Sequence, residues 1–176
     1  AMLAAVLVGA GALGAWWLPD ALVRHTLTVV PEPARAEIGA RLYRAIGRVS
    51  GPPCRSARGD RALALLEARL IAPETGRLTV LRAGIDGAVA LPGGLILLDR
   101  RLVEDHESAG VVAGHILAAL ARRASADPLA TLLETAGPMA ALRLLTTGQL
   151  PDAVLESYAE TLVDRAPPEL PAEALL

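Results

Sequence analysis

The stretch of the chain with the clearest chemical interest is AGVVAGHILAALARR, Ala109 to Arg123, an apolar segment that carries a single histidine, His115. A helix that binds zinc through histidines places two of them four residues apart, with a glutamate beside the first as general base. The positions three and four residues on either side of His115 are Val111, Val112, Ala118 and Ala119. The segment therefore supplies no second ligand of its own.

Other residues with metal-binding or nucleophilic chemistry are scattered. His106 lies nine residues before His115, which is on roughly the opposite side of a helix at about 100° per residue, and His25 is remote in sequence. Cys54 is the only cysteine, so no intrachain disulfide is possible, and we interpret it as a bystander. No Walker loop, nucleophile elbow or dinucleotide fingerprint occurs in a suitable context.

Composition excludes some classes of function. The chain has 176 residues and a net charge of -2, which predicts one domain of ordinary size. Its charge balance and 2% aromatic content argue against a nucleic-acid partner, which requires a basic patch or stacking platforms. Hydrophobic residues make up 53% of the chain and the mean hydropathy is +0.42, values that favour a membrane segment.

The run MLAAVLVGAGALGAWWL, Met2 to Leu18, is uncharged and ends in two tryptophans. It is just long enough to span a bilayer, and tryptophan suits the membrane interface. We predict a transmembrane helix over 1–18, a domain over 19–176, and a single-pass location in a bacterial inner membrane with the side of the domain undecided. A signal peptide and a buried helix in water are the alternatives.

The remainder has an α+β pattern of helices, a small sheet and further helices. Ser108 is the predicted N-cap of the His115 helix, and Asp60 is placed just before the second helix. Helices are predicted over about 33–49, 61–71, 109–123, 129–145 and 152–164, with a strand over 77–83 and a strand pair, 87–91 and 95–98, that turns at Pro92-Gly93-Gly94.

Four phrases, in order, give a resemblance to a family. They are GAVALPGG (87–94), LILLDRRLV (95–103), AGVVAGHILAALARR (109–123) and Glu-Ser-Tyr-Ala-Glu (156–160). From Pro31 onward the chain resembles the membrane-associated zinc metallopeptidases typified by the heat-shock protease HtpX and the CAAX prenyl protease. The resemblance implies a mainly helical, zincin-type domain with a small β-sheet.

The resemblance also implies where a metal centre would lie, and the chemistry is lost there. Aligned without a gap, Gly114 occupies the first zinc-ligand position, His115 the general base, Ala118 the second ligand and Glu156 the third, while Glu160 replaces an aspartate. A shift of one residue puts His115 on the first ligand but leaves Ile116 and Ala119 at the other two positions. We therefore expect no catalytic residue, no metal site and no cofactor, zinc being expected only if ligands come from elsewhere.

A carboxylate buried without its metal needs a new partner. We therefore hypothesise that His115 approaches Glu156 and that their contact replaces the metal as a cross-link between two helices. The rival interpretation is a partly buried neutral histidine bonded to backbone or water.

Function follows from the same resemblance. In the family, substrate lies beside the strand that precedes the Pro-Gly-Gly turn, so an extended peptide is expected at the corresponding edge, formed by Gly87, Ala88, Val89, Ala90 and Leu91. The leading hypothesis is a non-catalytic, membrane-anchored metallopeptidase-like protein that acts as a binding, scaffold or accessory subunit of a membrane complex. An active zinc metalloendopeptidase with atypical ligands is the alternative, and a structural subunit recognised through its anchor is a third possibility.

Overall fold

The computed structural model describes residues 21–71, 76–106 and 108–164. A helical segment over 21–29 comes first. The elements that follow are α1 (Glu32–Ser50), α2 (Ala57–Leu70), β1 (Arg77–Leu81), β2 (Ala88–Ala90), a 3-10 turn (Pro92–Gly94), β3 (Leu95–Asp99), α3 (Arg100–Glu104), α4 (Ala109–Ser125), α5 (Pro128–Ala136), α6 (Pro138–Thr147) and α7 (Asp152–Asp164). The described chain is therefore mostly helical with a small sheet.

The sheet has three strands in the order β1-β3-β2. β1 pairs with β3 in parallel, with Leu78 opposite Ile96, and β2 pairs with β3 antiparallel, with Val89 opposite Leu97. The connection from β2 to β3 is the 3-10 turn, which is short enough to join antiparallel neighbours. Both β1 and β2 are edge strands, and β3 lies between them.

Successive side chains along each strand point to opposite faces of the sheet, so the interior is divided into two cores, one on each face. Leu81, Leu91 and Leu97 point into a first core shared with the segment 21–29 and with α1, α5, α6 and α7. Val80, Ala88 and Leu98 point into a second core shared with α2, α3 and α4. The sheet is thus covered by helices on both faces, which explains why LILL reads as a continuous apolar run.

Two predictions need correction. They are the transmembrane part of the fold class and the single-pass membrane location that followed from it. Among the residues that the structure describes, no helix is both long enough and apolar enough to cross a bilayer. The run 2–18, on which that prediction rested, lies outside the described residues.

Several predicted elements agree with the structure. The strand pair turns at Pro92–Gly94, the Ser108 hydroxyl accepts a hydrogen bond from the Gly110 amide as N-cap of α4, and α7 has the predicted bounds. The single helix over 129–145 is wrong, because Gly137, at a φ of 84°, and Pro138 divide it into α5 and α6. α2 also begins earlier than predicted, with Ser56 rather than Asp60 before its first turn.

Helix α1 packs directly on the backbone of the Pro92–Gly94 turn. A β-carbon added to Gly39 would lie 2.0 Å from the carbonyl oxygen of Pro92, and one added to Gly93 would lie 2.3 Å from the α-carbon of Ala36. Gly93 also has a φ of 74°, a conformation that other residues adopt at a cost. This contact requires glycine on both sides.

Gly39→Ala is expected to destabilise the protein by about 1–3 kcal/mol, because the new methyl group would meet a backbone carbonyl that has no rotamer to change. Gly47→Ala, in the same helix, is the matched control. A β-carbon there meets nothing within 4 Å, so the substitution should stabilise the protein by about 0.5–1 kcal/mol. Urea unfolding of both variants measures the difference, and equal effects of the two substitutions would contradict the proposed contact.

Candidate functional site

The positions on α4 that the resemblance aligns with zinc ligands and a general base lie beside the buried face of that helix. Val112, Ile116 and Ala119 point into the second core, so His115 and Ala118 are half-buried and Gly114 is exposed. Gly114 and Ala118 contribute no side-chain ligand. In the part of the chain that the structure describes, no group of three or more His, Cys, Asp or Glu side chains is arranged to hold a metal ion.

Glu156 is not the buried carboxylate that pairing with His115 required. On α7 the buried side chains are Leu155, Tyr158 and Ala159, so Glu156 lies on the outer part of the helix with 51% of its side chain exposed. Its carboxylate accepts a hydrogen bond from the guanidinium of Arg48 at 2.7 Å. The predicted cross-link to His115 is therefore replaced by an ion pair to α1. Glu160 is likewise exposed.

Two other residues with side chains that could bind a metal or react as a nucleophile or base line a separate cavity. Cys54 is half-buried and His106 is exposed, and both border a space of about 510 Å³ between α2 and the start of α4. The Cys54 backbone amide also donates a hydrogen bond to the Val80 carbonyl at 2.9 Å. This hydrogen bond attaches the Cys54 backbone to β1.

The two edges of the sheet differ in how their polar groups are satisfied. The outer side of β1 is covered in part, because the Val80 carbonyl accepts from Cys54 and the Leu78 amide donates to the Glu67 carboxylate at 2.6 Å. An edge strand without such cover is a template for pairing with another chain. The β2 edge is the one to consider.

On β2, the residues whose backbone groups point away from the sheet are Ala88 and Ala90. The Asp99 amide donates to the Gly87 carbonyl and the Leu91 amide donates to the Leu95 carbonyl, so odd-numbered residues of this strand bond to β3. Antiparallel alternation then directs the polar groups of Ala88 and Ala90 outward. These residues belong to the peptide-binding edge predicted from the sequence.

Arg122, near the end of α4, closes part of this edge. Its guanidinium donates a hydrogen bond to the Ala88 carbonyl at 2.8 Å. The side chain is partly buried, and this desolvation lowers the pKa of Arg122 from its usual value. Among the described residues no carboxylate forms an ion pair with it, and its guanidinium donates there to the Ala88 carbonyl.

A cavity of about 130 Å³ runs beside β2, between the ends of α4 and α7 and the start of α5. We call it the edge groove. It is mostly apolar, with Arg122 and Arg123 also contributing to its walls. Its apolar walls include Val89, Leu91, Pro92, Ala119, Tyr158 and Leu162.

The predicted peptide-binding edge includes residues on the strand side of the groove, whereas the residues on its helical side were not predicted. Arg122 lies in the last turn of α4, where a basic residue is usually explained by the helix dipole. Tyr158 and Leu162 lie four residues apart on α7, a spacing that predicts a shared helix face. That spacing was the available signal, since it indicates which side of α7 meets the rest of the fold.

Comparison with known proteins adds no assignment: no protein-family model matches the chain, and no curated protein matches it.

Glu156→Gln should reduce the free energy of unfolding by less than about 1 kcal/mol, because its ion pair to Arg48 is exposed to solvent on both sides. It should also leave zinc uptake by the purified protein unchanged, since the carboxylate is already paired. Chemical unfolding and zinc analysis by mass spectrometry test the two parts. Loss of stoichiometric zinc in the variant would instead assign Glu156 as a ligand.

Acid stability should depend on Asp152, which joins α7 to α1 through a hydrogen bond from Arg41 at 2.6 Å. The bond and charge of Arg41 lower the pKa of Asp152 in the folded protein. Its stabilising effect is therefore present above the unfolded pKa of about 3.9 and is lost as pH falls through the lower folded value. The stability difference between wild type and Asp152→Asn should shrink below about pH 3.9, and a constant difference between pH 2 and 7 would contradict this.

Proposed function

We propose that this protein is a non-catalytic, metallopeptidase-like binding domain that holds an extended segment of a partner polypeptide along β2, as an adaptor or accessory subunit. The observation that carries the proposal is the open β2 edge, where Ala90 directs its amide and carbonyl away from the sheet. Strand addition uses such groups for affinity and nearby pockets for specificity.

The contrast between the two edges supports this choice of surface. On β1, two outward groups are engaged: the Val80 carbonyl by Cys54 and the Leu78 amide by Glu67. On β2 the Ala88 carbonyl is engaged by Arg122, whereas the described residues give Ala90 no outward hydrogen bond. An incoming strand therefore finds a donor and an acceptor at Ala90, which is enough for one antiparallel pair of hydrogen bonds.

The edge groove supports the same site. Its volume of about 130 Å³ is comparable to an apolar cavity of about 150 Å³ that holds one benzene. It therefore suits one side chain of the bound segment rather than a whole small-molecule ligand, since such sites usually enclose about 300 Å³ or more.

The residues at the lost zinc site support binding over catalysis. Hydrolysis by the resembled family needs two histidines and a glutamate base on one helix. The corresponding residues are Gly114, His115 and Ala118, and the remaining carboxylate, Glu156, is paired with Arg48. A binding role requires none of these groups.

Ala90→Pro tests strand addition directly. Proline removes the outward amide of Ala90, while β2 loses no hydrogen bond to β3 and an edge position tolerates proline. Fluorescence anisotropy with a panel of labelled ten-residue peptides of alternating aliphatic and polar residues should show binding to the wild type. The variant should bind about tenfold more weakly, as expected for one lost hydrogen bond and an unsatisfied partner.

Ala90→Ser is the matched control, because it keeps the amide and should bind the peptides like the wild type. Thermal unfolding of both variants verifies that each is folded. Absence of binding by the wild-type protein to every peptide, or equal binding by the proline variant, would refute the proposed function.

A further inference from the structure

We propose that the edge groove recognises the carboxyl terminus of its partner: the terminal residue pairs with β2 at Ala90, its aliphatic side chain fills the groove and its carboxylate binds Arg122. This inference rests on the proposed function and specifies the class of ligand, a polypeptide that ends at this site.

Strand direction gives the first argument. In an antiparallel pair, a segment bonded to Ala90 runs towards Ala88 in its own amino-to-carboxyl direction. The next residue able to bond to the edge would donate its amide to the Ala88 carbonyl, but the Arg122 guanidinium already donates to that oxygen at 2.8 Å. For a segment added antiparallel to β2, the ladder therefore ends beside Arg122, and the end of the segment that arrives there is its carboxyl end.

Charge gives the second argument. Arg122 is partly buried, and within the described residues no carboxylate pairs with it. A guanidinium has five donors in a planar fork and can bind a carboxylate through two parallel hydrogen bonds while it keeps a third contact. A terminal carboxylate would give Arg122 an ion pair, which it does not have within the described residues.

Size and polarity give the third argument. The space beside Ala90 is about 130 Å³ and is lined by Val89, Leu91, Tyr158 and Leu162. One valine or leucine side chain suits a cavity of this volume, because an apolar cavity of about 150 Å³ holds a benzene-sized group. The groove therefore takes one side chain, that of the terminal residue.

Peptides of one sequence that end in leucine, made as the free carboxylate and as the carboxamide, test the inference. By fluorescence anisotropy the wild type should bind the carboxylate form at least about tenfold more tightly, since charge-assisted hydrogen bonds contribute about 1.5–3 kcal/mol. Arg122→Gln should remove this preference, and Arg122→Lys should keep part of it because the charge remains without the fork. Arg143→Gln, an exposed arginine on α6, is the matched control and should keep the full preference.

A third peptide distinguishes the source of the carboxylate: it has a carboxamide end and a glutamate as its penultimate residue. It should bind like the plain carboxamide, and binding as tight as that of the free carboxylate would overturn the assignment to a chain terminus. Equal binding of carboxylate and carboxamide, or a preference that survives Arg122→Gln, would overturn this inference. If binding is still sensitive to Ala90→Pro, the proposed function survives that result. Absence of binding by every peptide would refute both.

Discussion

The arrangement of this fold depends on the close approach between helix α1 and the turn that joins β2 to β3. Gly39 and Gly93 let the two backbones meet, and no side chain separates them. The turn sets where β2 ends and β3 begins, so the helix contact also positions the β2 edge. Arg35 of the same helix holds the start of α5, because its guanidinium pairs with Asp127. The same guanidinium donates a hydrogen bond to the Leu27 carbonyl in the segment 21–29. One helix thus organises both sides of the groove.

The proposed binding site arises from an imbalance between the two edges of a three-stranded sheet. Native proteins normally cover edge strands, and β1 follows this rule through a loop amide and a glutamate. β2 follows it only at Ala88, through a charged side chain that retains further donors. The same residue, Arg122, therefore limits how far an added strand extends and supplies a charge for its end. A protective contact and a recognition contact are combined in one side chain.

The elements that the sequence predicted correctly are those with strong local signals. The Pro-Gly-Gly turn and the Ser108 cap are determined by backbone chemistry within a few residues. Gly137-Pro138 was also a local signal, since this pair ends a helix. The prediction missed it because apolar residues recur at helical spacing on both sides of the pair. Arg122 could not be assigned, because its partner is a carbonyl 34 residues away. The predicted burial of Glu156 is wrong, because Leu155, Tyr158 and Ala159 form the buried face of α7 and Glu156 lies outside that face.

The division of the interior by the sheet has a consequence for how β3 tolerates change. Ile96, Leu97 and Leu98 are all fully buried, and they alternate between the two cores. A slip that moved Leu95, Ile96 and Leu97 into the places of Ile96, Leu97 and Leu98 would exchange the side chains offered to each set of helices and keep all of them aliphatic, whereas the opposite slip would bring Asp99 into the place of Leu98. Hydrophobicity alone thus discriminates poorly between the native alignment and its neighbour. The native register of β3 must therefore be selected by shape. The strongest constraint is the close contact between the turn and α1 at Gly39 and Gly93.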